Sequence, residues 1–193
     1  MVIVKRVLFA DLRSRIEEHV EGVTAVFQPL SDEQLNWQPD PKEWSILQCF
    51  DHLNLTHEYY RPKIELALQK PVKAKPDKHF YKPSFFGRIY MHFAFNPTYS
   101  FAAQGEMVPE TARLELAETA VTRQVFDTYL NKQTELLETL DQCANIDIRY
   151  TRVPISTGVK FNLGDVLKIL VYHDELHFGQ ARGVLEDMDI TGS

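Results

Sequence analysis

His173 and His177 stand four residues apart in the run HDELH. On a helix this spacing puts both imidazoles on one face, one turn apart, within reach of a single ion. Neutral imidazole is the commonest side-chain ligand for transition metals. Both residues also fall on the apolar stripe Leu163, Val166, Leu170, His173, His177, Gln180, Val184. Buried imidazole nitrogens need partners, which can be a metal or neighbouring hydrogen-bonding groups. The motif differs from HExxH: Asp174 follows the first histidine, and Glu175, two positions from each histidine, points to another side of the helix. The glutamate-base chemistry of zincins therefore does not carry over. A third ligand has to come from another segment, and His52 and His57 are the candidates, with periodicity leaning toward His57 on the cleaner stripe. His19 lies in a charged segment, and His79 and His92 lie in an irregular one.

Four long helical segments would position these groups. The first, about Phe9 to Gln28, carries Leu12, Ile16, Val20, Val23 and Phe27 at spacings of three and four, and Pro29 ends it. The second begins after the N-cap candidate Ser45 and is apolar over more than half its circumference, through Ile46, Phe50, Leu53, His57, Tyr60 and Ile64. Pro62 is expected to kink it or end its regular part. The third runs from about Thr111 or Ala117 to Gln142, with Val121, Val125 and Tyr129 on one face, then a polar gap from Asn131 to Glu135. The fourth runs from near Leu163 to near Met188. Between the second and third, residues from about Pro71 to Pro109 form a long insertion, and Phe85 to Phe95 within it reads as a short aromatic helix. Such a connection either covers one end of the core or walls a ligand pocket. The segment from Ile146 to Phe161 contains two β-like runs that suit a small hairpin or an extended loop. The pattern predicts an all-α fold, a four-helix bundle, in one domain spanning residues 1–193.

Composition narrows the partners. The chain has 193 residues, 44% of them hydrophobic and 25% charged, with a formal net charge of -6. An acidic chain without a basic face is a poor nucleic-acid binder. The lysines at 70, 73, 75, 78 and 82 sit among prolines and read as a solvated loop. No apolar run reaches the length of about 20 residues that a bilayer span needs. The start of the chain lacks the cleavage site of a signal peptide, and Cys49 and Cys143 form no CxxC pair. These features predict a cytoplasmic protein with no membrane partner and two buried structural thiols.

The segment WSILQCFDHLNLTHEYY, with Trp44, Ser45 and the His52-Leu53 pair, resembles the second-helix signature of the DinB/YfiT-like superfamily. So do Leu35-Asn36-Trp37-Gln38-Pro39 before it and GDVLKILVYHDELHFGQARGVL near the end. The resemblance covers most of the chain in the right order; the long insertion departs from compact members. It implies that one divalent metal ion, commonly zinc or nickel, is bound by His52, His173 and His177, with positions left for water or substrate. Gln180 matches the glutamine that often follows the last ligand. His57 then becomes a core or supporting residue, and Asp51, Glu58, Asp174 and Gln180 are candidates to orient the ligands.

Three neutral ligands leave the ion its double positive charge. An open site of this kind can lower the pKa of bound water to about 7, or hold a thiol as thiolate. The first chemistry gives a metal-dependent hydrolase. The second gives a thiol S-transferase joining a low-molecular-weight thiol to an electrophilic small molecule, and it is slightly favoured. Relatives in the superfamily imply both. Tyr59, His57 and Asp174 are the candidate general bases. The competing class is a non-catalytic protein, either metal-stabilised or a stress-response binding module. Structural zinc is usually closed by four protein ligands, and a fourth such as His57 would favour that class. A homodimer is a further implication of the resemblance.

Overall fold

The structure, a computed structural model, describes residues 2–75, 79–95, 121–156 and 158–191, with side chains to 188. The element order is β1 (Ile3–Val4), α1 (Lys5–Gly22), α2 (Asp32–Asn36), α3 (Ile46–Gln69), β2 (Phe80–Tyr81), α4 (Phe85–Ala94), α5 (Gln124–Gln142), β3 (Arg152–Ser156), β4 (Val159–Asn162) and α6 (Leu163–Thr191). The fold is all-α, with two small antiparallel ribbons, β1–β2 and β3–β4. The long helices α1, α3, α5 and α6 pack together, and α3 lies most extensively against α6.

Local chemistry explains the helix ends. Ser45 caps α3: its hydroxyl accepts from Gln48 N, while the Gln48 side chain accepts from Ser45 N. This reciprocal box satisfies two backbone donors that a helix start would otherwise orphan. Pro62 does not end α3, which continues to Gln69. Its lost N–H leaves a carbonyl one turn back, and because Pro62 lies on an exposed face, water can serve that carbonyl. The first helix begins at Lys5, earlier than its apolar period, because β1 pairs with β2 directly before it. The Lys5 ammonium crosses to the end of α5 and donates to the carbonyls of Cys143, Ala144 and Ile146 at 3.2, 2.6 and 3.1 Å. Through Val23–Phe27 the first helix widens into a π turn.

The β-like stretch is a hairpin, with Arg152 opposite Asn162 and Val153 opposite Phe161. Gly158 near its turn has φ 80°, a left-handed conformation that glycine adopts without strain. Of the long insertion, Phe85–Ala94 is helical as its aromatics suggested. The start expected for the third helix, around 111 to 117, lies outside the described residues; within them α5 begins at Gln124. Asp165, in the first turn of α6, gathers this end of the molecule. It is fully buried and accepts from Tyr81 OH at 2.7 Å, Ser84 N at 3.1 Å and Asn162 N at 3.2 Å. A carboxylate also suits the positive end of the α6 dipole.

Two apolar clusters fill the space between the long helices. One contains Leu8, Leu12 and Ile16 of α1, Tyr60 and Ile64 of α3, Leu136 and Leu140 of α5, and Leu163, Val166, Leu167 and Leu170 of α6. The other contains Val23 and Phe27, then Ile46, Leu47, Phe50 and Leu53, Phe126 and Tyr129, and Phe178, Ala181 and Val184. Between them, each long helix contributes a buried polar residue: His19 from α1, His57 from α3, Gln133 from α5 and Asp174 from α6. The polar gap expected in the third helix is thus interrupted by an inward-facing glutamine. Both cysteines are buried and free.

Candidate metal site

The three histidines meet beside this polar layer. His52 sits at the end of the second turn of α3, behind the Ser45 cap, so the box that starts the helix also fixes its orientation. His173 and His177 project from α6. Ligand atoms of all three lie within 4.8 Å of one another. The Nε2 atoms of His52 and His173 are 3.3 Å apart. Two imidazole nitrogens on one tetrahedral zinc, each at its usual bond length, stand about 3.3 Å apart.

The electrostatics favour lone pairs over protons. Burial first, then the neighbouring His177, His52 and His57, hold His173 well below the usual imidazole range. Burial and His52 push His177 down to about 4, against the opposing pull of Gln180 and Asp174. Both rings are therefore neutral at pH 7. His177 Nδ1–H donates to Gln180 Oε1 at 2.9 Å, which directs its Nε2 lone pair to the other side of the ring. His173 Nδ1 is buried with no hydrogen-bond partner among the described residues. Neutral rings whose Nε2 atoms converge at the spacing of metal ligands fit a divalent cation.

Trp44 completes one wall. Its ring lies 4.9 Å from His52 and stacks on His177 at 5.8 Å, with 26° between the planes. The sequence placed Trp44 in the signature that opens the second long helix, without a role at the site. A family model of the DinB superfamily matches residues 15–181, a span that includes all three histidines. The chain belongs to the DinB superfamily. This membership and the three-histidine cluster fit a metal-binding protein. No match was found among curated proteins or among solved structures.

The other DinB-site candidates fall elsewhere. His57 does not join the cluster; its Nε2 lies 3.0 Å from both carboxylate oxygens of Asp174. Asp174 in turn accepts from Gln133 Nε2 at 2.8 Å. Tyr59 OH donates to the Ile155 carbonyl at 3.1 Å, and the Lys63 ammonium lies over its ring at 3.4 Å from the centroid. Asp51 and Glu58 are not members of the cluster either; Glu58 accepts from Lys132. Gln133 was missed because its polarity reads as solvent-facing. The signal that could have found it is its place four residues after Tyr129, continuing the Val125–Tyr129 step. The aromatic helix α4 packs on β4 and the start of α6, and Phe95 just beyond it reaches Tyr172, the neighbour of His173. No described helix is long and apolar enough to cross a membrane.

Proposed function

We propose that this DinB-superfamily chain is a metal-dependent enzyme, a thiol S-transferase that joins a low-molecular-weight thiol to an electrophilic small molecule at His52, His173 and His177. The observation that carries this reading is the size of the ligand group: among the described residues three histidines converge and no fourth His, Cys, Asp or Glu joins them. Three neutral donors suit an ion that keeps an exchangeable position and takes no negative charge from its ligands, whereas a purely structural zinc usually has four protein ligands. A divalent ion held there would favour the thiolate form of a thiol, or the hydroxide form of water, at neutral pH.

The chain's own residues supply the rest. His52 arrives on a capped helix, His173 and His177 on a continuous one, and Gln180 fixes the His177 tautomer. Trp44 offers a flat apolar wall for the carbon frame of a substrate beside His52 and His177. Zinc and nickel both accept an all-imidazole donor set. His57, Asp174 and Tyr59 are bonded to other groups of the protein, so we assign the departing proton of the thiol to solvent.

The test has two stages. Tag-free protein is expected to carry about one metal per chain, and a His173→Ala, His177→Ala double variant is expected to lose it. A panel of thiols with a chromogenic electrophile should then show acceleration by the loaded wild type and none by the double variant. Full metal retention in that variant would remove the site. Acceleration of ester or amide hydrolysis without any thiol effect would replace transfer with hydrolysis. Loaded protein inert in both assays would leave a metal-stabilised binding protein.

A further inference from the structure

The polar layer between the two apolar clusters has a hub. Asp174 is 0% exposed, follows His173 directly and precedes His177 by three residues. Its carboxylate receives His57 from α3 and Gln133 from α5, at 3.0 and 2.8 Å. His57 shares α3 with His52, so the Asp174–His57 bond ties the same two helices as the ligand cluster, about one turn away. A buried carboxylate is costly unless it is held by donors, and this arrangement gives both oxygens a partner.

We infer that Asp174, clamped by His57 and Gln133, is the positioning residue of the three-histidine site: it fixes the rotation and register of α6 against α3 and balances the charge of the bound ion. The inference rests on the metal-site reading above. Its geometric basis is the helix itself. One residue of slip along α6 means about 1.5 Å of translation and a large rotation, which would turn His173 and His177 away from His52. Metal sites tolerate misplacement of only about 0.5 Å. The hub removes that freedom before any ion arrives, because its bonds run to two other helices rather than to the ligands. Its charge matters separately. The three ligands are neutral, and Asp174 is the buried carboxylate adjoining them, so its negative field offsets part of the ion's double charge in a low-dielectric interior. A purely structural ion pair would stabilise the helices without favouring any ion.

Cobalt(II) titration of chelator-treated protein separates these roles, since it reports affinity by competition with a chelator and geometry by visible absorption. Asp174→Asn keeps the shape and removes the charge. It is expected to weaken cobalt affinity about 10- to 100-fold, the range for residues that orient metal ligands, and to shift the absorption bands. His57→Gln, which leaves Asp174 in place, should shift both readouts in the same direction by a smaller factor, and it carries the test if Asp174→Asn does not fold. Wild-type affinity and an unchanged spectrum in the folded variants, even with a lower melting temperature, would overturn the positioning role. Failure of the wild-type chain to bind cobalt, or wild-type binding by His173→Ala, would instead overturn the three-histidine site and this inference with it.

Discussion

Asp165→Ala removes the acceptor that holds the start of α6, the β2 strand and the start of α4 together. The carboxylate is fully buried and serves three donors: Tyr81 OH at 2.7 Å, Ser84 N at 3.1 Å and Asn162 N at 3.2 Å. A hydrogen bond to a charged group contributes about 1.5 kcal/mol or more. Three of them, with about 0.5 kcal/mol from the helix dipole, give a loss of about 5 kcal/mol. Rescue by water is limited by crowding. A Cβ placed on Gly87 would lie 2.3 Å from an Asp165 oxygen, so the α4 backbone closes directly on the carboxylate. For a chain of this size, each kcal/mol shifts the melting temperature by about 2–4 °C, so a fall of about 10–20 °C is expected. Urea unfolding and calorimetry measure the global loss. Amide hydrogen exchange measures the local one, and the Ser84 and Gly87 amides should exchange first, because Ser84 N bonds Asp165 and Gly87 N bonds Ser84 Oγ. Asp165→Asn keeps one acceptor and should cost about half as much. A loss below about 1 kcal/mol for the alanine variant would refute the reasoning, since it would mean the three donors find partners without the carboxylate.

Three further perturbations probe other elements. Lys5→Met should cost about 1–3 kcal/mol in urea unfolding, because three carbonyls at the end of α5 lose a charged donor; no measurable change would show that they are hydrated equally well without it. Ser45→Ala should cost about 1 kcal/mol and weaken metal loading, because the cap orients the helix that carries His52; unchanged stability would argue against the capping box. In metal-free protein, burial holds His177 at about 4 against 6.5 in the unfolded chain, so the unfolded state takes up the extra proton between those values. Stability is then full above pH 6.5 and falls as the pH drops toward 4, by about 3 kcal/mol from this ring. Urea midpoints against pH for chelator-treated wild type and His177→Gln should diverge across that window, and parallel curves would contradict the shift.

The site was only partly legible in the sequence. The His173–His177 pair could be read directly, because helical periodicity and metal-ligand spacing coincide there. Periodicity leaned toward His57 over His52, and it misled because α3 is buried on nearly every side, from Ile46 through Phe50 without an exposed residue. What separates the two is the partner each meets: His57 faces Asp174, which is 117 positions away in the chain, and no local pattern encodes that. Gln133 was hidden for the same reason. Helix boundaries followed the caps where capping residues exist, as at Ser45. They missed the start of the first helix, where Lys5 takes its partners from Cys143 to Ile146.

The indole of Trp44 makes the site its own optical gauge. Only two tryptophans are present, and one of them rests against two of the three imidazoles. A paramagnetic ion such as cobalt, nickel or copper held between those rings would drain excited-state energy from that indole almost at contact. Zinc, with its filled d shell, would leave the emission bright. Intrinsic fluorescence alone could therefore report in real time which ion occupies an unlabelled sample and how quickly one displaces another.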